Sequence, residues 1–225
     1  ASFDAWVKYY RADENTPNST ISYYAKGALV ALALDLTLRG EGRGTLDDVM
    51  RRLWDESRGG PIDEAAIAAA LQATGGRPYA DELARWVHGT DELPIAGLLS
   101  RAGIDWIDDP ATLAQRVGLR VAESALTGVK VSQVLHGGAA ERAGVSAGDE
   151  IVAIDGWRVR RLDDALRVID AARPATWLVA RDQRLIELRL ALPSATPPSA
   201  GGVTLRLAAK PDAAAQALRK AWLQA

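Results

Sequence analysis

The chain has 225 residues, 48% of them hydrophobic and 25% charged, with a formal net charge of -2. This is the balance of a folded globular protein with room for two small domains; it excludes disorder throughout and offers no basic field to hold a phosphate backbone, so nucleic acid is not an expected partner. With Cys 0, disulfides and thiolate chemistry are excluded, and the compartment stays open between cytosol and periplasm.

No basic start with an apolar stretch precedes Phe3 and no initiator methionine is present, so a fragment or a processed chain is expected. The longest apolar run, Gly27 to Leu38, is interrupted by Asp35 and is too short to span a bilayer. It predicts a buried helix, and no membrane is expected as a partner. Ser19 or Thr20 is the candidate cap, Leu29, Leu32 and Leu36 form the stripe, and Gly40, Gly42 and Gly44 stop the helix.

Thr45-Leu46-Asp47-Asp48 predicts a second helix with a capped, acidic first turn, carrying Val49, Leu53 and Trp54 on one side and closed by Gly59-Gly60. A third is predicted from Asp63 to Thr74 with Ile67 and Leu71 on its stripe, and a fourth from Tyr79 to His88. A short fifth follows Pro94 and ends near Gly103. Connections this short predict a compact helical array.

From Leu113 onward the pattern becomes short β-rich runs separated by glycine. Val117 to Val121, Val129 to Val134, Glu150 to Ile154, Trp177 to Ala180 and Arg184 to Leu192 are predicted strands, with a helix from Leu162 to Ala172 among them. Asp182-Gln183 predicts a hairpin turn without the usual glycine. Pro193 to Gly202 reads as a linker, followed by a strand at Val203 to Leu207 and a helix at Asp212 to Leu223 whose apolar side holds Ala215, Leu218 and Trp222. The expected fold class is α+β: a helical subdomain (1–110), a β-barrel or sandwich domain (111–193), the linker (194–202) and a strand-helix tail (203–225).

The run from Gly137 to Gly156, with Ala143-Gly144, Gly148-Asp149 and Asp155-Gly156 at their present spacing, resembles the middle of bacterial PDZ domains. Such domains take an extended peptide as an added strand and hold its terminal carboxylate on loop N–H groups. The resemblance implies that Gly118, Leu119, Arg120 and Val121 form this loop and strand, although Arg120 and Val121 depart from a Gly-Leu-Gly-Phe pattern. Leu162, Leu166 and Ile169 would line the groove from a helix at i, i+4 and i+7; plain core packing is the competing reading of those three.

Ser22-Tyr23-Tyr24-Ala25-Lys26-Gly27-Ala28, with the loop Asp13-Glu14-Asn15, resembles gluzincin zinc aminopeptidases, in particular the PDZ-containing M61 glycyl aminopeptidases. The similarity extends over Phe3 to Arg11, Gly89 to Pro94 and Ala217 to Leu223. It implies that Tyr24, two positions before Lys26-Gly27, supplies a phenol to the transition state, with Tyr23 as the alternative. Lys26 is expected to pair with a carboxylate or cap a loop, and Gly27 to allow close helix approach.

Zinc of this class needs two histidines one helical turn apart with a glutamate between them, plus a further carboxylate. The chain has only His88 and His136, so no metal site is expected in it. His88 is assigned to a helix C-terminus and His136 to a solvent-facing turn. Zinc is expected in the full-length parent, with an upstream catalytic domain of the same polypeptide and a peptide or protein substrate as partners. The expected function is therefore the C-terminal part of an M61 zinc aminopeptidase that does no hydrolysis alone. The alternatives are a free-standing PDZ peptide-binding or scaffold module and a catalytically dead homologue.

Overall fold

The computed structural model describes residues 10–19, 22–170, 172–192 and 200–223, with the side chains of Leu166 and Ala200 outside that description. Residue contacts divide the chain into two units: residues 22–107 with 204–225, and residues 1–21 with 108–203. The architecture is α+β, as its sequence pattern predicts.

In the helical unit, Tyr23–Gly40 forms the longest helix. Its cap is Ser22, whose Oγ accepts the Ala25 N–H at 3.2 Å. Of the expected caps, Ser19 ends a separate short helix, Thr16–Ser19, and Thr20 lies outside the described residues. The long helix is buried only in its second half, at Ala33, Leu34, Leu36, Thr37 and Leu38. Leu29, expected on the buried stripe, is exposed.

Thr45 and Asp48 make a reciprocal capping box for the helix Leu46–Ser57, which buries Val49 and Leu53. Trp54 points to solvent instead, because i+1 from Leu53 turns about 100° away from the buried face. Glu64–Gly75 follows, and then Ala80–Glu82 runs into a π-helical turn, Leu83–His88. Ile95–Arg101 completes the array. The core includes Leu36, Leu38, Leu71, Tyr79 and Leu99. The terminal helix, Ala213–Leu223, belongs to this unit. It packs Trp222 on the same core, and Arg219 donates to the Gly103 carbonyl at 3.1 Å.

Strand β1 (Ile104–Pro110), absent from the sequence expectation, pairs with β8 (Ala200–Leu207) in a two-stranded sheet. Residues 193–199 of the expected linker lie outside the described residues.

The second unit is built on one antiparallel sheet of β2 (Leu119–Ser124), β3 (Gly128–Val134), β4 (Glu150–Ile154), β6 (Ala175–Arg181) and β7 (Arg184–Leu190), in that order, with β5 (Trp157–Arg158) paired to β4. The order has two ends, so the sheet is open and not a closed barrel. Val117, expected in a strand, ends a helical turn, Leu113–Val117, fixed by a Thr112–Gln115 capping box and by Gly118 in the left-handed region. The helix expected from Leu162 to Ala172 is a 3-10 helix that stops at Arg167. The Asp182-Gln183 turn forms as expected, with both residues at positive φ, the backbone of a type I′ hairpin. Trp177, Leu162, Ile151 and Leu190 sit in this unit's core.

Candidate functional site

Two places hold the residues singled out by sequence. At the first, the Ser22 cap sets the start of a helix on which Tyr24 is the second residue. Its side chain is 57% exposed, and its ring lies 4.4 Å from that of Tyr23, tilted by 31°. Two residues on, the Lys26 ammonium donates to the Gly89 carbonyl at 2.8 Å and so caps the loop that follows the π-helical turn. Of its two expected roles, Lys26 fills the second. Gly27 has open space where a Cβ would stand, so it supports no close helix approach.

His88 closes the π-helical turn, as a helix-end position, and pairs with the Glu64 carboxylate at 2.8 Å. His136 is solvent-facing, with its Nδ1 2.8 Å from Glu141. Each imidazole meets one carboxylate. Among the described residues no group of three His, Cys, Asp or Glu could hold a metal ion. The described residues do not fit a zinc centre.

The second place is the edge of the open sheet. Gly118 has φ +81°, and a Cβ there would stand 2.9 Å from the Gly138 Cα, so both its backbone and its neighbours require glycine. Leu119 is buried and opposite Val134; Arg120 is exposed and donates to Gln133 Oε1 at 3.0 Å; Val121 follows a register shift and packs on the core. Strand β2 stands first in the sheet order and pairs only with β3, which leaves its other edge without a strand among the described residues. Unpaired N–H and C=O groups at such an edge are a template for an added strand.

Leu162 and Ile169 do not share the expected helical face. In a 3-10 helix a residue four positions on is rotated by about 120°, and Ile169 lies beyond the helix end. Leu162 is 1% exposed and belongs to the core; Ile169 packs against it, and the Leu166 side chain lies outside the described residues.

Sequence reasoning missed Glu123, whose Oε1 accepts the Leu162 N–H at 2.8 Å and ties the far end of β2 to the start of the 3-10 helix. It also missed Asn18. Its Nδ2 donates to the Val134 carbonyl and its Oδ1 accepts the His136 N–H, both at 2.8 Å, so the segment before the long helix is held to the end of β3. Neither contact has a local sequence signal, since the partners are 39 and more than 100 residues away.

The fold and the edge geometry define the class first: a helical unit joined to a PDZ domain. A PDZ domain model matches residues 106–178, and a model of the M61 glycyl aminopeptidases matches residues 1–30. A crystal structure of an aminopeptidase N family protein from Idiomarina loihiensis is 29% identical over 99% of this chain and 39% of that one, with a TM-score of 0.82. The chain thus spans 39% of that relative's length. The HtrA-type protease AlgW with a decapeptide is 21% identical over 40% of this chain and 29% of that one, TM-score 0.30. The HtrA3 PDZ domain bound to a phage-derived ligand is 15% identical over 47% and 93%, TM-score 0.30. No curated protein matches the chain. The chain resembles the PDZ-bearing part of M61-type aminopeptidases, with the M61 likeness at residues 1–30 and the PDZ likeness at 106–178.

Proposed function

We propose that the chain supplies Tyr24 and a peptide-binding PDZ domain to a zinc aminopeptidase of M61 type, and that it hydrolyses nothing alone. Zinc and a glutamate base would come from an upstream catalytic domain of the same polypeptide. The observation that carries the reading is an exposed phenol, fixed at the first turn of a capped helix inside the segment matched by the M61 model. That helix leaves Tyr23, Tyr24 and Leu29 uncovered in its first half, as expected of a surface completed by further chain.

Tyr24 acts as a hydrogen-bond donor to the oxygen that gains negative charge when the peptide carbonyl is attacked. The Ser22 cap and the Lys26 contact with Gly89 hold the helix start, so the phenol is placed before substrate arrives. The substrate class is a peptide with a small N-terminal residue, such as glycine.

The test is Tyr24→Phe in the complete polypeptide, assayed on glycyl and alanyl substrates. Turnover is expected to fall about 10²–10³-fold with metal content unchanged. Turnover near wild type removes Tyr24 from the mechanism. The 225-residue chain supplied with zinc is expected to show no turnover, and any turnover there overturns the dependence on an upstream domain.

The reading of a free-standing PDZ module rests on the unpaired edge of β2. It takes precedence if this chain binds carboxyl-terminated peptides while the complete polypeptide has no peptidase activity.

A further inference from the structure

Beside the far end of β2, Glu123, Ser124, Ala125, Arg160 and Arg161 line a pocket of about 410 Å³. Its one carboxylate is already engaged, by the Leu162 N–H at 2.8 Å and by Arg161 at 3.7 Å. The Arg161 side chain is 74% exposed, and Arg160 makes no ion pair among the described residues. Arg158, also exposed, joins Arg160 in lining a neighbouring pocket of about 120 Å³. Arg160 and Arg161 thus stand where the open edge of β2 ends, with Glu123 offsetting part of their charge, while Arg158 shares the neighbouring pocket with Glu150.

A peptide added antiparallel to β2 with its carboxylate at Gly118–Val121 runs its upstream residues toward Ser124. Leu119 to Glu123 is about 13 Å of extended strand, so the fourth and fifth residues before the C-terminal one reach the arginines. We propose that the groove selects peptides that are acidic at those positions, with Arg160 and Arg161 as the specificity-determining side chains. The proposal rests on the reading of β2 as the peptide-accepting edge. Guanidinium groups match carboxylates in geometry as well as charge, so glutamate at these positions is favoured over a neutral polar residue. Basic residues there are repelled.

The test titrates the 225-residue chain with three pools of fluorescein-labelled peptides carrying free carboxyl termini. The last four residues are random, and the two before them are Glu-Glu, Gln-Gln or Lys-Lys. The Glu-Glu pool is expected to bind about three- to fivefold tighter than the Gln-Gln pool, and the Lys-Lys pool weakest. The preference is expected to shrink at high salt and to disappear in Arg160→Glu, an exposed substitution that leaves the core untouched. Equal binding by the three pools, sensitive to amidation of the terminus, overturns the acidic preference and leaves the groove reading standing. No binding, or binding indifferent to amidation, overturns the groove reading and the proposal with it.

Discussion

Each unit sets an arginine against a carboxylate, but at different depths. In the PDZ unit, Asp149 is fully buried, and Arg181 grips it with two bonds, Nε to Oδ1 at 2.7 Å and Nη2 to Oδ2 at 2.8 Å. The aspartate also accepts the Ser146 N–H, and Arg181 donates to the Gly144 carbonyl. In the helical unit, Arg77 reaches Glu41 at 2.7 Å and Glu82 at 2.6 Å with its guanidinium 4.0 Å above the Tyr79 ring, and these charges keep partial contact with water. The burial is that of Asp149 alone, since the Arg181 side chain is 32% exposed, and losing Arg181 strands that buried charge. A half-exposed network loses less, because water replaces the missing partner.

Arg181→Met tests the first half of that contrast. It leaves Asp149 without its counter-ion and is expected to destabilise residues 108–203 by about 3–5 kcal/mol, read by urea unfolding with amide exchange resolved by segment. A loss under about 1 kcal/mol would place Asp149 in contact with water and remove the contrast.

Gly75→Ala comes next. A Cβ at that position would lie 2.1 Å from the Tyr79 hydroxyl, so the ring must shift and its 2.7 Å bond to Glu41 weakens. A loss of about 1–3 kcal/mol in the helical unit is expected. An unchanged melting temperature would show that the ring moves aside freely.

The same network sets a smaller pH dependence. The Arg77 hydrogen bond holds the Glu41 carboxyl below its ordinary range, against the opposing effect of burial. Its contribution is present above the unfolded carboxylate pKa and is lost as pH falls through the lower, folded value. Burial and the bond to Glu41 push the Tyr79 phenol up to about 12. That contribution is complete below the ordinary tyrosine pKa and fades as pH rises from about 10 toward 12. Tyr79→Phe should abolish the alkaline decline attributable to this residue in pH-resolved denaturation; a decline that persists unchanged assigns it elsewhere.

The smallest effect expected is a gain. Gln183 sits at φ +66°, a strained region for a side chain that glycine occupies freely. Gln183→Gly should therefore stabilise the β6–β7 hairpin by about 0.5–1 kcal/mol in the same urea assay. No gain, or a loss, would mean that the turn's strain is offset by contacts of Gln183.

Much of the PDZ unit is legible because its signals are local. Asp155-Gly156 makes the β4–β5 turn and Gly144 ends the helical turn Ala139–Ala143, each from its own backbone preference. The Thr112-to-Gln115 box and Gly118 are equally local signals, and they outweigh the strand preference of the apolar Val117. The groove helix failed for a related reason: Leu162, Leu166 and Ile169 have α-helical spacing, while the observed backbone is a short 3-10 turn. Of the candidate sites, Tyr24 and the β2 segment could be named from motifs. Glu123 and Asn18 could not, since nothing near them in sequence announces their distant partners.

The sequence by itself determined most of the elements, the Thr45 cap, the Asp155-Gly156 and Asp182-Gln183 turns and the likeness to M61 aminopeptidases and PDZ domains, because these depend on residues within a few positions of one another. Only the tertiary structure decided which edge of the sheet stays open, that Asp149 meets Arg181 across 32 residues, and that Lys26 closes the loop at Gly89. Such pairings are chosen by whole faces burying against one another, so no local preference encodes them.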